Sequence, residues 1–142
     1  MLIGYTHTMA PQSELKELFK LDNIYYLGYK KFEHLPYYIK QSDICLVPYD
    51  QNNLHIKYST PTKFLDYLAS GLPIVTTNFP DAQNYKKLIY IADNKKQFNS
   101  YIMKSLKERS NNIKLKRKEF ANNHSWATQI NKMESQIIKL IE

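Results

Sequence analysis

Glycine is scarce in this chain, with three in 142 residues, at positions 4, 28 and 71. Neither a G-x-G-x-x-G turn nor a P-loop can be written with those three, so the usual dinucleotide and P-loop fingerprints are excluded. Cysteine is scarcer still. Cys45 is the single one, which excludes an intrachain disulfide, and its apolar setting reads as inert packing rather than redox chemistry. Histidines 7, 34, 55 and 124 lie far apart without metal-ligand spacing, so no metal site is expected. No apolar run approaches the roughly 20 residues of a membrane span, and the N-terminus lacks a signal-peptide pattern. A soluble cytoplasmic protein is the expectation.

What is present fits an ordinary globular domain. Hydrophobic residues make up 43% of the chain and charged ones 23%, enough to bury a core without a disulfide or structural metal. One domain spanning 1–142 is expected. Six of the 12 tyrosines fall between Tyr25 and Tyr49 and read as packing with wet hydroxyl tips. The net charge of +7 is uneven. From Lys104 to Lys118 seven basic residues (Lys104, Lys107, Arg109, Lys114, Lys116, Arg117, Lys118) face Glu108 alone and account for six of the seven net charges. A solvated helical face, an anionic membrane surface and a nucleic-acid surface are the alternatives, in that order. Interleaved aromatics and a recognition motif are missing, so no nucleic-acid partner is expected.

Short β-like runs alternate with amphipathic helical stretches, which predicts an α/β layered fold with a parallel sheet. The β runs are Met1 to Tyr5, Asn23 to Leu27, Ile44 to Val47, Leu72 to Thr77 and Leu88 to Ala92. Helical spacing marks Ser13 to Lys20, with Ser13 as cap, and Phe32 to Gln41, with Pro36 near the first turn. Asp50 to Ser59 reads as a polar loop. Beyond Ala92 the pattern is helical to the end, with breaks near Ser110 and Asn122–Ser125. The last segment, about 125–142, repeats Ile130, Met133, Ile137, Ile138 and Ile141 as an amphipathic helix expected to pack back on the domain.

Ser59 to Thr77 carries the most chemistry. It reads as a loop, a helix capped by Thr60 with Pro61 in its first position, a glycine stop at Gly71 and a buried strand. Lys63 falls in the first helical turn, where a cation opposes the macrodipole at a cost on the order of a few tenths of a kcal/mol. An anion bound there would explain it, since a helix N-terminus aims free N–H groups at phosphate. Asp66, three residues on, could reach the same mouth and accept hydrogen bonds from sugar hydroxyls. An ordinary Lys63–Asp66 surface pair explains the same residues equally well.

The run Pro61-Thr62-Lys63-Phe64-Leu65-Asp66-Tyr67-Leu68-Ala69-Ser70-Gly71-Leu72-Pro73-Ile74-Val75 resembles the P-x-K-x-x-E-Y-L-A-x-G-x-P-V-V signature of GT-B glycosyltransferases of the glycosyltransferase 4, or group 1, type. Flanking blocks extend the likeness over nearly the whole chain. Ile24 to Gly28 resembles the family's V-x-F-L-G strand, and Leu35 to Tyr49 its L-P-x-Y-L…D-V-x-L-x-P block. Ala121 to Trp126 resembles the N-x-S-W that opens the closing helix.

The resemblance implies the C-terminal, donor-binding half of a GT-B fold: a Rossmann-like three-layer domain with a parallel sheet. Leu2-Ile3-Gly4 resembles that domain's second strand, so its first strand and helix, and the acceptor domain, are expected to be absent. It further implies a nucleotide-diphosphate sugar, UDP- or GDP-linked, as substrate, with no essential metal and no cofactor. Gly28 and Tyr29 would contact the base; Thr60, Thr62 and Lys63 would face the diphosphate. Asp66 falls on the second acid of the family's E-x7-E motif and would hold the ribose. The first acid, on the sugar side, aligns with Tyr58, beside Ser59. Asp stands for Glu at 66 and Tyr for Glu at 58, so sugar selectivity does not carry over from the family. No catalytic residue is assigned.

The expected reaction is glycosyl transfer to a polysaccharide or glycolipid acceptor once an acceptor domain completes the enzyme, this chain alone being inactive. A non-catalytic nucleotide-binding module of the same fold is the alternative. Expected partners are a separate acceptor domain, a second copy paired through the exposed sheet flank, and an anionic membrane met by 104–118, which would put the protein on the inner face of that membrane.

Overall fold

In the computed structural model, residues 1–5 and 12–141 are described, with the side chains of 12–14 left out. His7 and the Ser13 side chain lie outside the described residues. Contacts divide the chain into two compact units, Met1–Tyr38 and Ile39–Glu142.

In the first unit, the two expected strands shrink to a single parallel bridge between Leu2 and Tyr26. The chain runs are nevertheless aligned: Leu2 N–H donates to the Tyr25 carbonyl, Leu27 N–H to that of Leu2 and Gly4 N–H to that of Gly28. Helix α1 (Gln12–Phe19) connects them, and Phe19 stacks on Tyr26 at 4.8 Å. None of the described residues of this unit is buried. Helix α2 (Leu35–Lys40) follows a 3-10 turn at Phe32–His34 that the helical spacing had merged with it.

The second unit contains the core. Strands β1 (Cys45–Val47), β2 (Ile74–Thr77) and β3 (Tyr90–Ala92) form a parallel sheet in the order β1-β2-β3. Strand β2, at the centre, is buried on both faces through Ile74 and Val75. At the edge, β1 buries Cys45 and Val47 and leaves Leu46 exposed, so the covering on both faces expected of a parallel strand holds only in the middle of the sheet. The polar stretch between β1 and β2 includes one helical turn, α3 (Leu54–Lys57), because the Asn53 side chain caps His55 N–H. Helix α4 (Lys63–Ser70) then leads into β2. Three helices follow β3: α5 (Lys95–Leu106), α6 (Asn111–Asn123) and α7 (Trp126–Ile141). Asn94 and Ser110 cap the first two through the N–H groups of Gln97 and Ile113.

Phe64 and Leu68 of α4 and Ala121 of α6 pack with Cys45, Val47 and Ile74 in one buried cluster. Helix α5 packs against β2 and β3, and Val75, directed by alternation to the face opposite Ile74, is fully buried. The result is the α/β, Rossmann-like arrangement expected from the sequence. Burial pushes the Cys45 thiol up to about 12, so it stays protonated and packs as a small apolar group.

The end of the chain differs from expectation. Helix α7 forms, but Trp126, Ile130, Met133, Ile137, Ile138 and Ile141 are each at least half exposed, and none of its described residues is buried. The amphipathic pattern set the helix without setting a partner for its apolar face.

Candidate functional site

Helix α4 begins later than the capping pattern predicts. Thr60 does not cap it; its hydroxyl is directed instead at Asp81 Oδ1, 3.4 Å away. Pro61 is buried, and Pro61 and Thr62 form a tight turn whose carbonyls accept from Phe64 and Leu65 N–H. Thr62, at the N-cap, has helical backbone angles and makes no side-chain capping bond. Phe64 anchors this start because it stacks on Phe79 and tilts against Tyr85, all three buried.

Lys63 projects from that start with its Nζ 4.8 Å above the centre of the Tyr49 ring. The ring is itself fixed: Tyr49 packs edge-on to Phe79, and its carbonyl accepts from Thr77 Oγ1 at 2.8 Å. A cation over an aromatic face gains about 0.5–1 kcal/mol at an exposed site. Lys63 does not pair with Asp66. Among the described residues the ion pairs are Lys20–Glu17 and Arg117–Glu108. The plain surface pair that competed with the anion-site reading is therefore not formed. Asp66 is exposed on the first turn, yet partial burial of its carboxyl raises its pKa from the ordinary value. An acid so placed, with no cation beside it, can still accept hydrogen bonds from incoming hydroxyls.

The sugar-side candidates are less suited to polar work. Tyr58 is 80% exposed with Lys57 over its ring, and the Ser59 hydroxyl is used on the Ile56 carbonyl at 3.3 Å. Gly28 and Tyr29 belong to the first unit. Gly28 has a left-handed backbone and accepts from Gly4 N–H, and Tyr29 stacks on Tyr5 at 4.6 Å. A cavity of about 340 Å³ lined by Tyr49, Asp50, Gln51, Thr77, Lys95 and Phe98, among others, shares Tyr49 and the Thr77 that holds it with the Lys63 cluster, but not Lys63 itself. No group of three or more metal-ligating side chains occurs among the described residues.

The other end of α4 holds residues that the sequence pattern did not single out. Arg117, counted among surface charges, is 1% exposed. Its guanidinium donates to the Gly71 carbonyl at 3.3 Å, to the Leu88 carbonyl at 2.8 Å and to both Glu108 oxygens, at 2.5 and 3.0 Å. Tyr90 also donates to Glu108, at 2.8 Å. The remaining six cations of 104–118 are exposed. Asp81 was likewise unmarked, and its one signal was a carboxylate in a tight turn directly after a buried strand.

The family pattern described as Glycosyl transferases group 1 matches residues 1–108, which include α4 and the whole sheet. The chain belongs to the group 1 glycosyltransferases. A relative in Bacillus subtilis, named as the teichuronic acid biosynthesis glycosyltransferase TuaH, is 32% identical over 72 residues. That match takes in 51% of this chain and 18% of the relative, so the chain spans less than a fifth of the protein it resembles. No solved structure matches. Among the described residues, no helix is long and apolar enough to cross a membrane.

Proposed function

We propose that this glycosyltransferase domain binds the donor, a nucleotide-diphosphate sugar linked to UDP or GDP. Thr60, Thr62 and Lys63 at the start of α4 face the diphosphate, Asp66 accepts from the ribose hydroxyls, and Gly28 and Tyr29 contact the base. The observation that carries this reading is the uncapped start of α4, with a cation held over Tyr49 and left unpaired with Asp66. A helix start with no capping side chain and a fixed cation is suited to phosphate, since both the N–H groups and the dipole favour negative charge.

Sugar transfer then requires acceptor-side and catalytic groups from another domain, because the site holds no placed general base or nucleophile. The acceptor is a polysaccharide or glycolipid, a reading supported by the teichuronic acid biosynthesis in the relative's name. The reaction proceeds without an essential metal. The six exposed cations of 104–118 suit the anionic inner face of a membrane, where a lipid-linked acceptor would lie.

Calorimetric titration with UDP and with GDP, beside Asp66→Ala, tests the proposal. Saturable binding of one nucleotide, weakened tenfold or more in the variant, is expected. Equal binding by both proteins would remove Asp66 from the site, and no binding at millimolar nucleotide would overturn the donor-site reading.

A further inference from the structure

One polar atom near this site has no partner. Asp81, in the turn Pro80–Tyr85 after β2, has its two carboxylate oxygens in different states. Oδ1 accepts from Asn84 Nδ2 at 3.0 Å and, at a long 3.4 Å, from Thr60 Oγ1. Oδ2 is shut off from solvent and accepts nothing. A buried carboxylate oxygen normally collects a donor, because desolvation without one is unfavourable. Phe79 and Ala82 beside it are buried and apolar, and the Asn84 amide is already on Oδ1. The Tyr85 hydroxyl, whose pKa is raised by burial and by the Asp81 charge, makes no hydrogen bond to it.

The location narrows what the missing donor is. Thr60 lies three residues before Lys63, in the loop that enters α4, so Asp81 stands behind the mouth of the helix. The family's sugar-side acid is absent here: Tyr58 takes its position and is turned out to solvent. Resting on the donor-site reading above, we infer that Asp81 is the carboxylate that accepts hydrogen bonds from hydroxyls of the transferred sugar. An ionised carboxylate is an acceptor only and takes two hydroxyls readily. The Thr60 hydroxyl holds only Oδ1, at the limit of a hydrogen bond, so the turn must open at Oδ2 as well to admit them. Asp81 thus acts on sugar specificity and not on the nucleotide.

The test titrates the chain with UDP and UDP-glucose, and with GDP and GDP-mannose, and compares Asp81→Asn and Asp66→Ala. The amide keeps an acceptor for Thr60 and Asn84 while removing the charge, so its melting temperature should stay at the parent value or rise. Asp81→Asn should weaken the nucleotide sugar about tenfold, which is about 1.4 kcal/mol, and leave the bare nucleotide within about twofold. Asp66→Ala should weaken both. Equal loss for nucleotide and nucleotide sugar, or a lowered melting temperature with unchanged ligand preference, would make Asp81 a structural pin of the loop and overturn this assignment alone. A parent chain that gains no affinity from the sugar also overturns it, whereas a chain that binds no nucleotide overturns the donor-site reading and this inference together.

Discussion

At its C-terminal end helix α4 is closed by Gly71 in a left-handed conformation, by a bond from Gly71 N–H to the Leu68 carbonyl and by the buried Arg117 on the Gly71 carbonyl. At its N-terminal end, about two turns of helix away, no side chain caps it and its first residue is a lysine that opposes the dipole. Arg117 suits the dipole at the C-terminal end, whereas the first turn carries Lys63, which conflicts with it, together with Asp66, which does not. Thr62 is of a residue type that caps well, but its helical backbone angles keep its hydroxyl off the first-turn N–H groups, which forgoes about 1 kcal/mol. The difference separates an end that holds the fold from an uncapped end, the one at which the donor site is proposed.

The comparison is tested most severely at Arg117. Its guanidinium joins α6 to the end of α4, to the entry of β3 and to Glu108 at the exit of α5. Arg117→Ala leaves a half-buried carboxylate and two carbonyls without their donor, a loss of about 3–5 kcal/mol. Urea unfolding should show it as a lower midpoint, while Asp66→Ala stays within about 0.5 kcal/mol of the parent. Comparable losses in the two variants would erase the distinction between the ends. Gly71→Ala comes next. Its φ of +78 costs about 1–2 kcal/mol for a residue with a Cβ, and that Cβ would stand 2.7 Å from Lys114 Cγ and 3.3 Å from the Lys114 carbonyl oxygen. A total of about 2–3 kcal/mol is expected, with the α4–α6 packing as the part that yields.

The closed end also has a pH signature. Burial raises the Glu108 carboxyl, but the hydrogen bonds from Arg117 and Tyr90 and the charge of Arg117 outweigh it, so its pKa is lowered from 4.5 overall. A depressed acid contributes stability that is fully present above its unfolded value and is lost as pH falls through the folded one. Melting temperature should therefore decline below about pH 4.5, and Glu108→Gln should flatten that decline. Asp66 runs the other way: its raised pKa means the ionised form is disfavoured in the fold, so protonation relieves it as pH falls toward 3.8. A decline unchanged in Glu108→Gln would show that the Arg117 network does not govern acid stability.

Where local pattern and tertiary packing agree, the sequence was readable. The runs around Cys45, Ile74 and Tyr90 became the sheet because continuous apolar β-branched stretches suit little else, and Gly71 ended α4 where a glycine must. The capping assignment failed at Thr60 because a threonine before a proline offers its hydroxyl to any acceptor in reach, and Asp81, 21 residues later, is one that no local window contains. Arg117 was hidden for the same reason: a basic run on a helix reads as solvated until the helix is docked, and only then is one member found buried. Lys63 and Asp66 were visible as an oddity of charge against dipole, but spacing alone could not tell an i,i+3 pair from two groups kept apart. The Tyr49 ring made that distinction, and it comes from another element.

The smallest expected effect on stability is the one that bears most on the open end. Lys63→Met keeps the aliphatic stem and removes the charge. Losing the cation over Tyr49 costs about 0.5–1 kcal/mol, and relieving the conflict with the dipole returns about 0.3–1 kcal/mol. The two nearly cancel, so unfolding should shift by less than about 0.5 kcal/mol. On the proposed donor site, the variant also gives up a charge-assisted contact to phosphate with nothing to offset it, and a fall of tenfold or more in nucleotide affinity is expected. Measured together by urea unfolding and calorimetry, these numbers separate the roles of the lysine. A stable variant that binds as before would make Lys63 an incidental surface cation. A destabilised variant that binds as before would make it a piece of packing on Tyr49, and the N-terminal end of α4 would then be as structural as the C-terminal one.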